Sequence, residues 1–252
     1  MDIRRRLHLR RLGGALSTLL IAIGAAVGAA PAQQVVGPCR LEAKTACPNQ
    51  NMADKDLAGV NLEGADLRGA NFMRATLQGA NLVQADLRTA NLGDSDLSGA
   101  NLSKANLNTA DFRGANVTRA DLQHANLRGA DLSGARLSRA DMTDAVASGA
   151  LFHAATLEQT ILVRAVLSGA DFTEARLPAA DLTGADLSRV DFSDARLNQA
   201  DLSGATLTGA NLARADLTGA RIKDTDFSKA KLNGARWIDG HVCGSGSIGA
   251  CR

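Results

Sequence analysis

From Lys55 to Asp239 large apolar residues recur at every fifth position, without an insertion or deletion. The column runs from Leu57 through Leu62, Leu67 and Phe72 to Trp237. It has 37 positions, all Leu, Phe, Met, Ile, Val or Trp except Ala147. Two residues before each lies a second column, from Lys55 to Ala235, in which 31 of 37 positions are Ala. Asp or Asn stands between the columns in most repeats, and the last two places are mostly Ser, Thr, Gly, Arg or Gln. A period of five fits neither the helical nor the strand repeat. It predicts a solenoid, in which each unit buries its apolar face only against its neighbours.

Both columns must face inward, because they hold the large aliphatic surface. The small Ala residues let the backbone come close to the axis. The phenylalanines set the number of units per coil. Phe72, Phe112, Phe152, Phe172 and Phe192 are separated by 40, 40, 20 and 20 residues, and Phe227 alone is out of phase. Coils of four units place those five rings in one column, whereas three or five units scatter them. The expected fold is all-β and four-sided. About nine coils with backbones about 4.8 Å apart would span about 43 Å.

The units Ala65-Asp66-Leu67-Arg68-Gly69, Ala70-Asn71-Phe72-Met73-Arg74 and Ala200-Asp201-Leu202-Ser203-Gly204 resemble the pentapeptide-repeat pattern A-[DN]-L-x-x. The resemblance to that family covers about three-quarters of the chain. It implies a right-handed quadrilateral β-helix solenoid with Leu, Phe and Ala inside. Some relatives protect topoisomerases or inhibit gyrase by imitating duplex DNA in shape and charge, which makes such an activity the alternative expectation for this chain.

The flanks suggest four segments: a secretory signal over 1–32, an N-terminal cap over 33–55, the repeat β-helix over 56–237 and a C-terminal cap over 238–252. Arg4, Arg5, Arg6, Arg10 and Arg11 precede a short apolar run, Leu16 to Val27, and Ala30-Pro31-Ala32 supplies small residues for cleavage before Gln33. An uncleaved anchor is the alternative. After cleavage no membrane span remains in this reading, and the mature protein is expected in the periplasm or outside the cell. The four cysteines, Cys39, Cys47, Cys243 and Cys251, lie outside the repeats. Ends about 40 Å apart allow only Cys39–Cys47 and Cys243–Cys251 within one molecule, unless a tail folds back. A four-Cys zinc site is disfavoured by spacing and distance, and disulfides suit an oxidising compartment.

Removing residues 1–32 leaves 23 basic and 25 acidic residues, a net charge of −2. A nearly neutral chain without Tyr argues against polyanion binding and base stacking, so no nucleic acid is expected. No catalytic constellation, cofactor motif or metal spacing is present. His124, His153 and His241 read as lone surface residues. Asp121, Asp141, Asp181 and Asp201 share one face, and Asp111, Asp131, Asp171 and Asp191 the opposite one. Short polar side chains at turns satisfy backbone groups, which suits a structural role.

Two departures from the pattern define a candidate partner surface. Arg136, Arg176, Arg196 and Arg236 replace Asp or Asn on one face, which also carries Arg119 and Arg139, interleaved with Glu158 and Asp216. Within residues 146–167, Val146, Leu151, Ile161, Val163 and Val166 occupy outward positions, which suggests an apolar patch. The expectation is a non-enzymatic, exported scaffold with a protein partner in the cell envelope. The partner's identity and the oligomeric state stay open.

Overall fold

Every unit closes with the same turn. The amide of the Ala-column residue donates to the carbonyl of the preceding large residue, as from Ala70 to Leu67 at 3.0 Å and from Ala75 to Phe72 at 2.9 Å. The residue before that amide has a left-handed backbone, whether Gly69 (φ 64°) or Arg74 (φ 56°). One positive φ at the third residue of a hydrogen-bonded turn is the type II geometry. Asp or Asn between the columns braces it by accepting the amide two residues on. Ser133 N donates to Asp131 Oδ1 at 3.0 Å, and Gly93 N to Asn91 Oδ1 at 3.0 Å. The polar column is therefore a turn requirement.

The computed structural model describes residues 35–252; the expected signal over 1–32 lies outside the described residues. From Ala46 to Arg236 every parallel bridge joins residues 20 apart. Four five-residue units therefore return the chain to the same side, and the result is a quadrilateral β-helix. Its sides carry four ladders, which we number in their order along the coil that begins at Asn61. The first runs from Asn61 through Asp121, Asp141 and Ile161 to Arg221. The second runs from Ala46 through Asp66, Val146 and Val166 to Asp226. The third passes from Asn51 through Asp111, Asp131, Leu151 and Asp171 to Lys231. The fourth passes from Asp56 through Arg136, Thr156, Arg176 and Arg196 to Arg236.

Both apolar columns are buried along almost their whole length, including Ala147. The five expected phenylalanines share the column beneath the third ladder, but only consecutive rings touch. Phe152 and Phe172 stack with centroids 4.4 Å apart, and Phe172 and Phe192 lie 5.1 Å apart. Leu92 and Leu132 separate Phe72 and Phe112 from the rest. Where a hydroxyl replaces Ala, a backbone carbonyl accepts it: Ser95 Oγ donates to Leu92 O at 2.6 Å and Thr160 Oγ1 to Leu137 O at 2.8 Å.

The ends are built differently. At the start, β1 (Val35–Val36) pairs antiparallel with β2 (Cys39–Arg40). Ladder pairing reaches back to Ala46, inside the segment expected as a cap, so Cys47 and Met52 already fill inward places. At the other end the chain reverses near Gly240. Val242 pairs antiparallel with Arg236, and Ile248 with Lys231. This covers part of an edge that would otherwise invite further strands. Trp237, the last residue of the large apolar column, is half-buried and packs on Phe227 at 5.3 Å. Cys39 is bonded to Cys47 and Cys243 to Cys251, with Cα atoms 5.7 and 5.0 Å apart. Such bridges fit an oxidising compartment.

Candidate partner-binding face

The arginines of the first three ladders are mostly held by carboxylates. Arg68 and Arg88 pair with Asp66 and Asp86 on the second ladder. Arg74, Arg113 and Arg214 pair with Asp54, Asp111 and Asp194 on the side of the third. Arg164 and Arg221 pair with Asp144 and Asp201 on the side of the first. The hydrogen bonds from Arg68, Arg88 and Arg113 hold the carboxyls of Asp66, Asp86 and Asp111 below the usual range.

On the fourth ladder this pattern fails. Arg136, Arg176 and Arg196 are exposed. Among the described residues their guanidinium groups meet no hydrogen-bond or ion-pair partner. Arg176 and Arg196 are direct ladder neighbours, and Thr156 separates them from Arg136. Arg139 donates to Gln159 Oε1 at 2.9 Å and Arg236 to Gly240 O at 3.2 Å, so neither meets a carboxylate. These substitutions also remove the turn brace. Ser138 and Asn198 lose the side-chain acceptor that Asp or Asn provides elsewhere, and Pro178 has no amide to donate. The fourth side thus carries adjacent unneutralised positive charges with no turn role of their own.

The aspartate columns behave differently. Asp121, Asp141, Asp181 and Asp201 each accept the amide two residues on, at 2.9 to 3.0 Å. Asp111, Asp131, Asp171 and Asp191 do the same at 2.8 to 3.0 Å. Their alignment follows from the turn.

The outward apolar residues do not form one patch. Val146 and Val166 are ladder neighbours on the second side, half-buried. Leu151 stands on the third ladder between Asp131 and Asp171, 41% exposed. Ile161 stands on the first ladder between Asp141 and Asp181, 39% exposed, with Val163 on the same side. A residue-number window of about one coil wraps around the rod, so the five residues spread over three sides. One open surface depression, of about 440 Å³, has a mainly polar lining that includes Asp181, Gln199, Asp201 and Arg221.

The histidines separate in the same way. His153 Nδ1 lies 2.8 Å from Thr173 Oγ1, and His124 stands 4.0 Å from Asp144. His241, read from sequence as a lone residue, instead touches both Asp239 and Cys251. The spacing Asp239-Gly240-His241 beside two cysteines was the available sequence signal.

Residues 56–94, 90–129, 120–159, 150–189, 185–224 and 195–234 match the family model for pentapeptide repeats, in 8 copies. Among solved structures, the chain is similar to HetL, a pentapeptide repeat protein involved in heterocyst differentiation regulation from the cyanobacterium Nostoc sp. strain PCC 7120. Identity is 31%, 79% of this chain and 92% of that chain are covered, and the TM-score is 0.39. It is similar to a trypsin-treated form of QnrB1, a plasmid-mediated fluoroquinolone resistance protein, at 17% identity over 71% of this chain and 90% of that chain, TM-score 0.38. A pentapeptide repeat protein from the Arabidopsis thaliana thylakoid lumen shares 29% identity over 46% of this chain and 71% of that chain, TM-score 0.22. None of the curated proteins matches the chain.

Proposed function

The chain belongs to the pentapeptide-repeat family, and from that premise we propose that it is an exported, non-enzymatic scaffold whose fourth side binds an acidic protein surface in the cell envelope. The scaffold is a right-handed rod of about nine coils, a number supported by the unbroken 20-residue period from Ala46 to Arg236. The unpaired guanidinium groups of Arg136, Arg176 and Arg196 carry this reading. Two adjacent like charges on a ladder repel each other. A partner's carboxylates would relieve that repulsion and accept planar, two-pronged hydrogen bonds. Export rests on the basic start and apolar run of residues 1–32 and on the two disulfides.

The alternative that the family allows, a DNA-mimicking topoisomerase or gyrase inhibitor or protector, needs a strongly acidic surface. A net charge of −2 without residues 1–32, or +2 for the full chain, and an arginine side weigh against it.

The test is cross-linking in intact cells, comparing the wild type with an Arg136→Glu/Arg176→Glu/Arg196→Glu variant and with an Arg68→Glu/Arg88→Glu control on the second side. The fourth-side variant should lose its cross-linked partner by about tenfold or more, while the control keeps it. Equal capture by both variants would refute the assignment of the face. Mass spectrometry of the mature N-terminus checks export in the same samples, with a start near Gln33 expected. A chain that keeps its N-terminus in the cytoplasm and changes gyrase supercoiling would favour the alternative.

A further inference from the structure

The C-terminal closure gathers four groups that the arginine side does not use. The antiparallel pairing of Val242 with Arg236, and the hydrogen bond from Trp237 N to His241 O at 2.8 Å, fix where the His241 backbone sits. Asp239 then fixes the ring. Its Oδ1 accepts the His241 amide at 3.2 Å and also contacts His241 Nδ1. With Nδ1–H donated to the carboxylate, Nε2 is the nitrogen that faces the disulfide, 3.0 Å from Cys251 Sγ. A ring nitrogen of His241 and both sulfurs lie within 4.8 Å of one another.

The two disulfides therefore differ in kind. Cys39 and Cys47 are 4% and 1% exposed, and the polar neighbour of Cys47 is the Thr45 hydroxyl at 3.2 Å. Cys243 is equally sealed at 2%, but Cys251 is only half-buried, and its imidazole neighbour is exposed. An accessible sulfur beside a carboxylate-oriented histidine is the environment in which thiolates are stabilised and exchange is fast.

We propose that Cys243–Cys251 is an exchange-active disulfide that accepts electrons from a dithiol, with Cys251 as the attacked sulfur and His241 as the acid that protonates Cys251 when it departs from the mixed disulfide. A donor thiolate attacks Cys251 Sγ along the bond to Cys243. A donor–Cys251 bond forms, the Cys243–Cys251 bond breaks, and its electron pair leaves on Cys243, which takes a proton from water. The donor's second thiolate then attacks the donor sulfur of the mixed disulfide. Cys251 leaves with the electron pair of that bond and takes a proton from protonated His241, which water then replaces. The donor is oxidised by two electrons to its own disulfide, and Cys243 and Cys251 become thiols. Asp239 is a positioning residue acting through His241. Arg236 Nη1 donates to Gly240 O at 3.2 Å, one residue before His241. Arg252 contributes its carbonyl oxygen to Gly244 N at 2.7 Å.

The test treats the folded full chain with dithiothreitol, quenches by alkylation and reads each cysteine by peptide mass spectrometry. Cys243–Cys251 should open about tenfold faster than Cys39–Cys47. Glutathione, a monothiol, should be trapped on Cys251. His241→Gln should slow the release of reduced Cys251 and move its alkylation pH profile upward, with Asp239→Asn moving it in the same direction by less. Because His241 is exposed, circular dichroism of the variant should match the wild type. Equal opening of the two bridges, glutathione trapped on Cys243, or an unchanged profile in His241→Gln would each overturn the proposal.

Discussion

The third and fourth ladders lie on successive sides of one rod and share one backbone geometry, yet their surfaces are nearly opposite. The third presents Asp111, Asp131, Asp171 and Asp191, each braced to its own turn. The fourth presents Arg136, Thr156, Arg176 and Arg196 at the equivalent places. Beneath both, the inward residues are alike: Phe172 and Phe192 on one side, Leu177 and Leu197 on the other, all buried. The fold is therefore held by the columns inside. The outer polar place contributes a smaller turn increment, which the fourth side relinquishes where charge is wanted instead.

The largest effects should fall equally on both sides, because they concern the interior. Phe172→Ala removes a stacked ring and should cost about 3–5 kcal/mol; Leu177→Ala should cost about 2–5 kcal/mol. Urea denaturation checks both, and a fourth-side core truncation that left stability unchanged would break the comparison.

A smaller effect should separate the sides. Asp171→Ala removes the acceptor of Thr173 N at 2.8 Å and should cost about 0.5–1.5 kcal/mol. Arg176→Ala, with Pro178 following, removes no such bond and should stay within about 0.5 kcal/mol of the wild type. Equal losses would mean that the arginine has a structural role after all.

Backbone strain offers a gain. Ala154 on the third side holds φ at 54°, so Ala154→Gly should raise stability by about 1 kcal/mol, read as a higher thermal midpoint. No gain would mean that glycine's freedom in the unfolded chain cancels the relief.

The smallest effect should appear in acid. The Asp111 carboxyl is held below its usual range chiefly by the hydrogen bond from Arg113. A depressed folded-state value means that its stabilising contribution is complete above the unfolded value, near pH 4, and is lost as pH falls through the lower folded one. Thermal midpoints of the wild type and Asp111→Asn should differ at pH 6 and draw together as pH falls below about 4. Curves that stay apart in acid would place the origin of the difference elsewhere.

By itself the sequence determined the period, the two inward columns and the 20-residue coil. The reason is physical: with one large and one small apolar place in every five, only one orientation buries them all, and the phase of Phe72, Phe112, Phe152, Phe172 and Phe192 selects four units per coil. The aspartates' turn role was legible for the same local reason. What only the tertiary structure decided concerns contacts across coils and at the ends. Numbers close along the chain suggested one apolar patch, but a coil turns through all four sides within twenty residues, so Leu151, Ile161 and Val166 face different ways. Which arginines find carboxylates depends on rotamers reaching across a turn or a coil, as Arg164 reaches Asp144 while Arg176 reaches none. Ladder pairing back to Ala46 and the folding of His241 onto Cys251 follow from chain reversals with no periodicity. A repeat specifies its own interior; its surface chemistry depends on which neighbours the coil brings alongside.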